Sequence, residues 1–511
     1  MSVVSKFQRL IAWSLGGLLV LPWISSSVSQ PALALMPWFV VLMLGLAIWL
    51  FDYRINQRLV VISWMVAAGI TAMMGLLQYF LLADGLAPWL DQPSPGMAFG
   101  NLHQRNQFAT LTSIGLVALI SWISWQSRET PLPWWVKYFA LLLALGNAAS
   151  NSRTGLLQWF FIVLLTAWWF YPRRWRILAF TLKTAAVYLI AIYTLPWMLE
   201  VATGITFKGL LGRLSEDLAC KSRLVLWSNV LSLIAHKPWL GWGWGELKYA
   251  HFVTLFPDAR FCGGILGNAH NLPLHLAVTM GIPFALVVCG GFTGWVLSRR
   301  PWRETQPDRQ VAWGVLAMIL LHSLFEYPLW YGPFQLAFVL CLWMLLRRKN
   351  EELELRIPRN HKFLLAAKLS IAIAVMVGLA YVALEYYRVR QIYLIPSIRS
   401  ASYHNDSFAK FRNSWLFPSQ IRFAELSLTP LTKDNAQWTH DSAAATLHYS
   451  PEPMVIKKLI ESSILLGLDE DVPMLLVRYQ AAFPSDYARW MNRSRILPRP
   501  AEQQKSGSDA N

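Results

Sequence analysis

"LVVISWMVAAGITAMMGLLQYFLLA", residues 59–83, contains no charged side chain and no proline. At ~1.5 Å of rise per residue such a run is long enough to cross a hydrocarbon core of ~30 Å. It does not stand alone. Of the 511 residues 55% are hydrophobic and 14% charged, 27 are tryptophan, and mean hydropathy is +0.38. The apolar residues fall in runs near span length rather than in amphipathic stripes. That is the composition of an all-α, polytopic membrane protein. About eleven spans are expected, at 10–26, 33–51, 59–83, 107–126, 133–149, 155–171, 177–197, 272–297, 311–329, 333–346 and 363–384.

The formal net charge of +17 would point to a nucleic-acid partner in a soluble chain, but here much of it sits in short loops between apolar runs. Topology accounts for it, and no nucleic acid is expected. Lys6 and Arg9 precede the first span, and alternation puts Arg54, Arg58, Arg128, Arg173, Arg174, Arg176, Arg299, Arg300, Arg303, Arg309 and the run 347–362 on the same, cytoplasmic side. The short loops of the opposite face carry Arg105 and Arg153. Topology has no use for these two, so they are expected to bind something. "PALA" at 31–34 imitates a processing site but directly precedes the second apolar run, so an uncleaved anchor is expected.

Alternation also sends the segment 198–271 and everything beyond 386 to the outer face, the periplasm in a bacterium. Cys220 and Cys262 lie in that long outer loop, while Cys289 and Cys341 lie within spans. An oxidising compartment permits a Cys220–Cys262 bridge, and two free thiols are the alternative. Residues 387–500 differ in kind: amphipathic runs such as "PMVIKKLIESSILLGL" (453–468) alternate with Pro, Gly and acidic turns, which predicts a helical domain packed in tetratricopeptide-like pairs. The divisions expected are therefore a transmembrane domain over 1–386 with its loop 198–271, the helical domain 387–500, and a disordered tail, 501–511.

The polar motifs cluster on one face. "GNLHQRNQFAT" (100–110), "NSRTG" (151–155), "CKSRLVLW" (220–227), "KPWLGWGWGELKYAHF" (237–252), "GNAHN" (267–271) and "HSLFEYPLWYGP" (322–333) all map outside. One site assembled from several loops is the economical reading. Each motif also has a plainer one. "GWGWG" after Pro238 suits a turn with interfacial aromatics, and His103, His251, His275 and His322 suit structural or secondary roles. His275, one turn beyond Asn271, suits a hydrogen bond to it or a substrate contact. Glu326 beside a span is rare enough to be functional, although a buried partner for an arginine is the alternative.

His270 is the sharper case. Asn271 reads as an N-cap and Pro273 belongs in a first helical turn, so a helix starts there and His270 stands just outside its positive end. That dipole disfavours imidazolium and keeps a neutral base available. No compact carboxylate or Cys/His cluster of metal-ligand type stands on the outer face, and "DED" at 469–471 reads as a solvated turn. No metal or other cofactor is expected.

"GNLHQRNQFATL", "NSRTG", "SRLVLW" with "KPWLGWGWGEL", "NAHNLPLHLAVTMGIP" and "HSLFEYPLWYGPF" occur in the order and spacing of the bacterial O-antigen ligase and polymerase superfamily. The chain most closely resembles its protein-directed branch, the O-linked oligosaccharyltransferases. The resemblance covers about residues 95–345, and "GNLHQRNQ" and "FEYPLWY" are the features similar to that branch. It implies a glycosyltransferase of the bacterial inner membrane, N-terminus cytoplasmic. Such an enzyme moves a glycan from an undecaprenyl-pyrophosphate carrier to hydroxyls of an acceptor protein such as pilin. The family's essential histidine falls on His270 and its pyrophosphate-handling arginines on Arg223 and Arg153. Gln104 and either Tyr327 or Tyr331 are further expected site residues. A C-terminal helical domain is common in that branch, where receiving the acceptor and merely buttressing the fold are both open. A ligase to lipid A-core or an O-antigen polymerase shares the chemistry, and a lipid-linked-sugar flippase is the reading from another class. A transporter should line its spans with polar groups. The spans here read as mostly clean, with Lys183 the main charged exception.

Overall fold

The computed structural model describes residues 3–25, 42–43, 45–46, 56–126, 131–256, 264–347, 361–403 and 414–493, apart from 88, 93–94, 208, 211, 213–222, 396, 398 and 469. No strand occurs among them; every regular element is helical. In chain order these are α1 (Val3–Ile24), α2 (Gln57–Tyr79), α3 (Arg105–Trp125), α4 (Trp134–Ala149), α5 (Arg153–Phe170), α6 (Trp175–Thr203), α7 (Arg223–His236), α8 (Leu247–Val253), α9 (Leu272–Met280), α10 (Ile282–Arg303), α11 (Pro307–Ser323), α12 (Gly332–Leu346), α13 (His361–Tyr393), α14 (Pro418–Leu428), α15 (Ala436–Tyr449), α16 (Pro453–Leu466), α17 (Val472–Ala482) and α18 (Pro484–Arg493). Six described helices are long and apolar enough to cross a membrane: α2, α3, α5, α6, α10 and a stretch of α13, Ala366–Tyr393. Trp13–Ile24 and Gly332–Leu346 are shorter apolar helices. Most of the expected span 33–51, the cysteines Cys220 and Cys262 and the tail 501–511 lie outside the described residues.

The chain divides into two compact units. The first holds residues 1–217, 270–272 and 291–379. Its centre is α3, whose apolar window is 89% buried because α2, α4, α5 and α11 pack around it. Small residues make that packing close: a Cβ on Gly115 of α3 would run into the Ala68 methyl of α2. In a bundle that gains little from the hydrophobic effect, such approach is what van der Waals attraction requires. By contrast only 6% of the apolar window is buried in α10 and in α13.

The expected span 272–297 is corrected. A nine-residue helix, α9, ends at Met280, Gly281 takes φ +92, and a new helix starts at Ile282. Side chains larger than hydrogen rarely adopt that φ, and a Cβ here would also collide with the Trp239 carbonyl. The glycine was visible in the sequence; the chain pressed against it was not.

The second unit holds residues 218–269, 273–290 and 380–511. Its C-terminal helices α14 to α18 pack each on the next, as amphipathic hairpins should. α8 packs against α15 and α17. There His448 of α15 meets the Glu246 carboxylate at 2.8 Å and stacks on the Tyr249 ring, centroids 3.8 Å apart.

Candidate active site

The segment ahead of α3 is held by Gln78, which is 1% exposed. Its amide nitrogen donates to the Asp91 and Gly100 carbonyls at 2.8 and 2.7 Å, and its oxygen accepts from the Phe99 and Gly100 N–H groups. Asn101 adds bonds to the carbonyls of Ile24 and Trp89. His103 pairs with Asp91 at 3.1 Å. Much of "GNLHQRNQ" is thus spent on holding its own loop. What it delivers is the start of α3: Gln104 is the N-cap residue and Arg105 the first helical residue, both half-buried.

"NSRTG" does the same for α5. Ser152 caps the helix, its Oγ accepting from the Gly155 N–H at 3.0 Å, and the exposed Arg153 is the first residue. Ser152 Oγ also donates to Asn106 Oδ1 at 2.7 Å. Asn106 is the second residue of α3, so this bond brings the N-termini of α3 and α5 together. Arg105 and Arg153 flank the junction, each one residue from a bonded partner. Two converging helix N-termini, each opened by an arginine, make a corner that attracts anions.

Glu326 closes the arrangement. One carboxylate oxygen accepts from Asn106 Nδ2 at 3.4 Å and the other lies 2.7 Å from His270 Nδ1. The Glu326 side chain is 7% exposed and that of His270 29%. Glu326 thus pairs with the histidine. A carboxylate accepts, so Nδ1 is the ring nitrogen that donates to Glu326. The helix end therefore has a carboxylate as a second influence on this imidazole. His270 itself has φ +50, as His103 and Asn151 also have positive φ in the two loops just described. Non-glycine residues pay for that conformation, and such strain gathers at functional sites.

Both tyrosines of "FEYPLWY" belong to this corner. The Tyr327 ring meets the His270 imidazole edge-on at 4.9 Å and stacks on Tyr331 at 5.9 Å. Burial, reinforced by Tyr327, pushes the Tyr331 phenol well above its ordinary range, so it stays protonated. Asn271 donates from its amide to the Leu324 carbonyl at 3.0 Å, tying the histidine's segment to the end of α11. His275 accepts from the Ala269 N–H at 3.4 Å. Arg223 belongs to the second unit, where it opens α7.

Sequence reasoning missed a second tier. One turn below Asn106, the Thr110 hydroxyl donates to the Asn106 carbonyl and accepts from Gln158 Nε2 at 2.9 Å. His322 Nδ1 lies 2.9 Å from the same oxygen. Since Thr110 has one proton and gives it to Asn106, His322 is the donor here. Gln158 also donates to the Met318 carbonyl. The side chains of 158, 110 and 322 thus join α5, α3 and α11 beneath 152, 106 and 326. Asn147, 1% exposed, bonds to Ala109 O, Thr112 and Ser113 nearby. The spans read as mostly clean in the sequence, yet the bundle interior holds these mutually bonded polar groups, while Lys183 is exposed.

Three family descriptions match this chain. O-Antigen ligase matches residues 138–289, Protein glycosylation ligase residues 98–122, and Virulence factor membrane-bound polymerase, C-terminal, residues 310–495. Among curated proteins the chain is 24% identical over 241 residues to the ComP-specific O-oligosaccharyltransferase of Acinetobacter baylyi. It is also 24% identical over 245 residues to the General O-oligosaccharyltransferase of the same organism. Each match takes in 47% of this chain and 42% of the relative, so less than half of those proteins is compared. No solved structure matches. The glycosylation-ligase match, 98–122, spans the Gln104–Asn106 turn, and the O-antigen ligase match includes both Ser152 and His270.

Proposed function

We propose that this protein transfers a preassembled glycan from an undecaprenyl-pyrophosphate carrier to serine or threonine hydroxyls of proteins such as pilin, at the periplasmic face of the bacterial inner membrane. The observation that carries this reading is the 2.7 Å contact of His270 with Glu326 beside two converging helix N-termini and their arginines. An acceptor hydroxyl gives its proton to His270 Nε2 as its oxygen attacks the anomeric carbon. The bond from that carbon to the pyrophosphate breaks, and its electron pair leaves on the phosphate oxygen. Glu326 stabilises the imidazolium that forms and fixes the tautomer that precedes it. Arg105 and Arg153, with Gln104 and the helix N–H groups, hold the pyrophosphate, and Arg223 is the further cation the resemblance assigns. Pyrophosphate is a good leaving group, so the site needs cations and a base rather than a general acid.

Asn271 positions the histidine's segment, and Tyr327 and Tyr331 wall the sugar side. The guanidinium groups take the place of the divalent ion used in much other phosphate chemistry. Transfer is therefore expected to proceed unchanged in EDTA, as a glycan-transfer assay with and without chelator will report; loss of transfer that magnesium or manganese restores would contradict it.

The protein acceptor is supported by the glycosylation-ligase match and by relatives named O-oligosaccharyltransferases. The polymerase description over 310–495 favours a second reading, ligation to lipid A-core or polymerisation. A bacterial host lacking its own ligases, supplied with an undecaprenyl-linked glycan and a pilin, separates them. Glycan on pilin supports the first reading, and glycan on lipid A or only in longer polymers supports the second.

A further inference from the structure

The stretch 237–246 reads as a loop of the outer segment, yet its side chains divide sharply. Trp242 turns inward, its Nε1 donating to the Leu233 carbonyl at 2.9 Å with the Lys237 ammonium 4.2 Å from its ring. Trp239 and Leu240 turn outward and are 75% and 86% exposed. Two apolar side chains so uncovered at the tip of a turn need an apolar surrounding.

The main chain says where that tip sits. The Ile282 N–H donates to the Pro238 carbonyl at 2.8 Å, and the N–H groups of Trp242 and Gly243 donate to Val278 and Thr279, each at 2.9 Å. Gly241, with φ +69, approaches the Thr279–Met280 peptide too closely to admit a Cβ, just as Gly281 does against Trp239. The turn is therefore locked to the first residue of α10. That helix, with mean hydropathy 1.4, runs unbroken from Ile282 to Arg299 and so rises about 27 Å at ~1.5 Å per residue. This length is close to that of a hydrocarbon core of ~30 Å, so Ile282 lies at a membrane surface. Ile282 and Phe284, both exposed, continue the apolar surface of the tip along the helix.

From this we infer that the Trp239–Leu240 turn is inserted into the bilayer at the surface where α10 begins, forming a monotopic foot on an otherwise aqueous segment. The partner is the lipid surface itself. Trp239 lies at headgroup level, Leu240 reaches the acyl chains, and Lys237 faces the phosphates. The foot fixes the depth of the segment joined to α10 without any contact to substrate.

The test uses the full-length protein in phospholipid nanodiscs with a nitroxide label at Leu240→Cys, the signal of the identically treated unsubstituted chain being subtracted. Asp434→Cys, on an exposed turn, is the aqueous reference. Power saturation should show the label at 240 more accessible to oxygen than to a water-soluble nickel chelate, the reverse of 434. Equal accessibility of 240 and 434 to nickel would overturn the inference. So would shielding of 240 from both reagents, which would mean that protein covers the tip. None of these outcomes depends on glycan transfer.

Discussion

At the scale of single residues, the account turns on a proton held between His270 and Glu326. Replacing Glu326 by Gln keeps the size and a hydrogen-bond acceptor but removes the charge that stabilises imidazolium. Its turnover is expected to fall about 10²-fold with little change in apparent affinity for the donor, as steady-state transfer kinetics will show. An unchanged turnover would make Glu326 a packing residue. The second tier makes a separate prediction. Thr110→Val is nearly isosteric but leaves His322 and Gln158 without their shared acceptor, a loss of about 1–3 kcal/mol in thermal stability. Thr110→Ser keeps the hydroxyl and should restore both stability and rate. His270, Glu326 and the two arginines were legible in the sequence because charged and basic groups beside apolar runs are costly and conspicuous. Asn106, Ser152, Thr110 and Gln158 were not, because neutral amides and hydroxyls occur in any helix. Only the packing of α3 against α5 and α11 reveals that these ones meet.

Among the elements, helix starts carry the site and one buried histidine carries a pH dependence. His251 of α8 is 2% exposed, and burial lowers it from 6.5 to about 4. The Leu266 N–H donates to its Nδ1 at 3.3 Å, and Asn229 lies 3.3 Å from its Nε2. In the unfolded chain this imidazole takes up a proton below about pH 6.5, whereas in the fold it stays neutral until about pH 4. Its contribution is therefore whole above the upper value and is lost as pH falls between the two, an amount on the order of 3 kcal/mol. The protection of amides across 223–256, taken relative to their intrinsic exchange rates at each pH, is expected to fall between pH 7 and pH 5, and His251→Gln should flatten that change. Continuous apolar runs showed most of the described helices of the bundle directly. The break at Gly281 was hidden because residues on both sides are equally apolar, and only the Trp239 turn pressed against it forces the chain to bend.

For the molecule as a whole, membrane-length helices follow from composition and apolar runs, since a bilayer leaves the backbone few alternatives, and the C-terminal hairpins follow from amphipathic patterning between turn residues. What composition does not reveal is grouping: residues 218–269, 273–290 and 380–511 form one compact unit although they are far apart in sequence. The central claim is that the His270–Glu326 pair takes the proton of an acceptor hydroxyl during glycan transfer to protein. Its most direct test is to express the native chain and His270→Ala at matched membrane levels with one lipid-linked glycan and one acceptor protein, and to follow glycosylated acceptor by mass. The account predicts product with the native chain and a loss of at least about 10²-fold with His270→Ala. Transfer by His270→Ala at the native rate would contradict it.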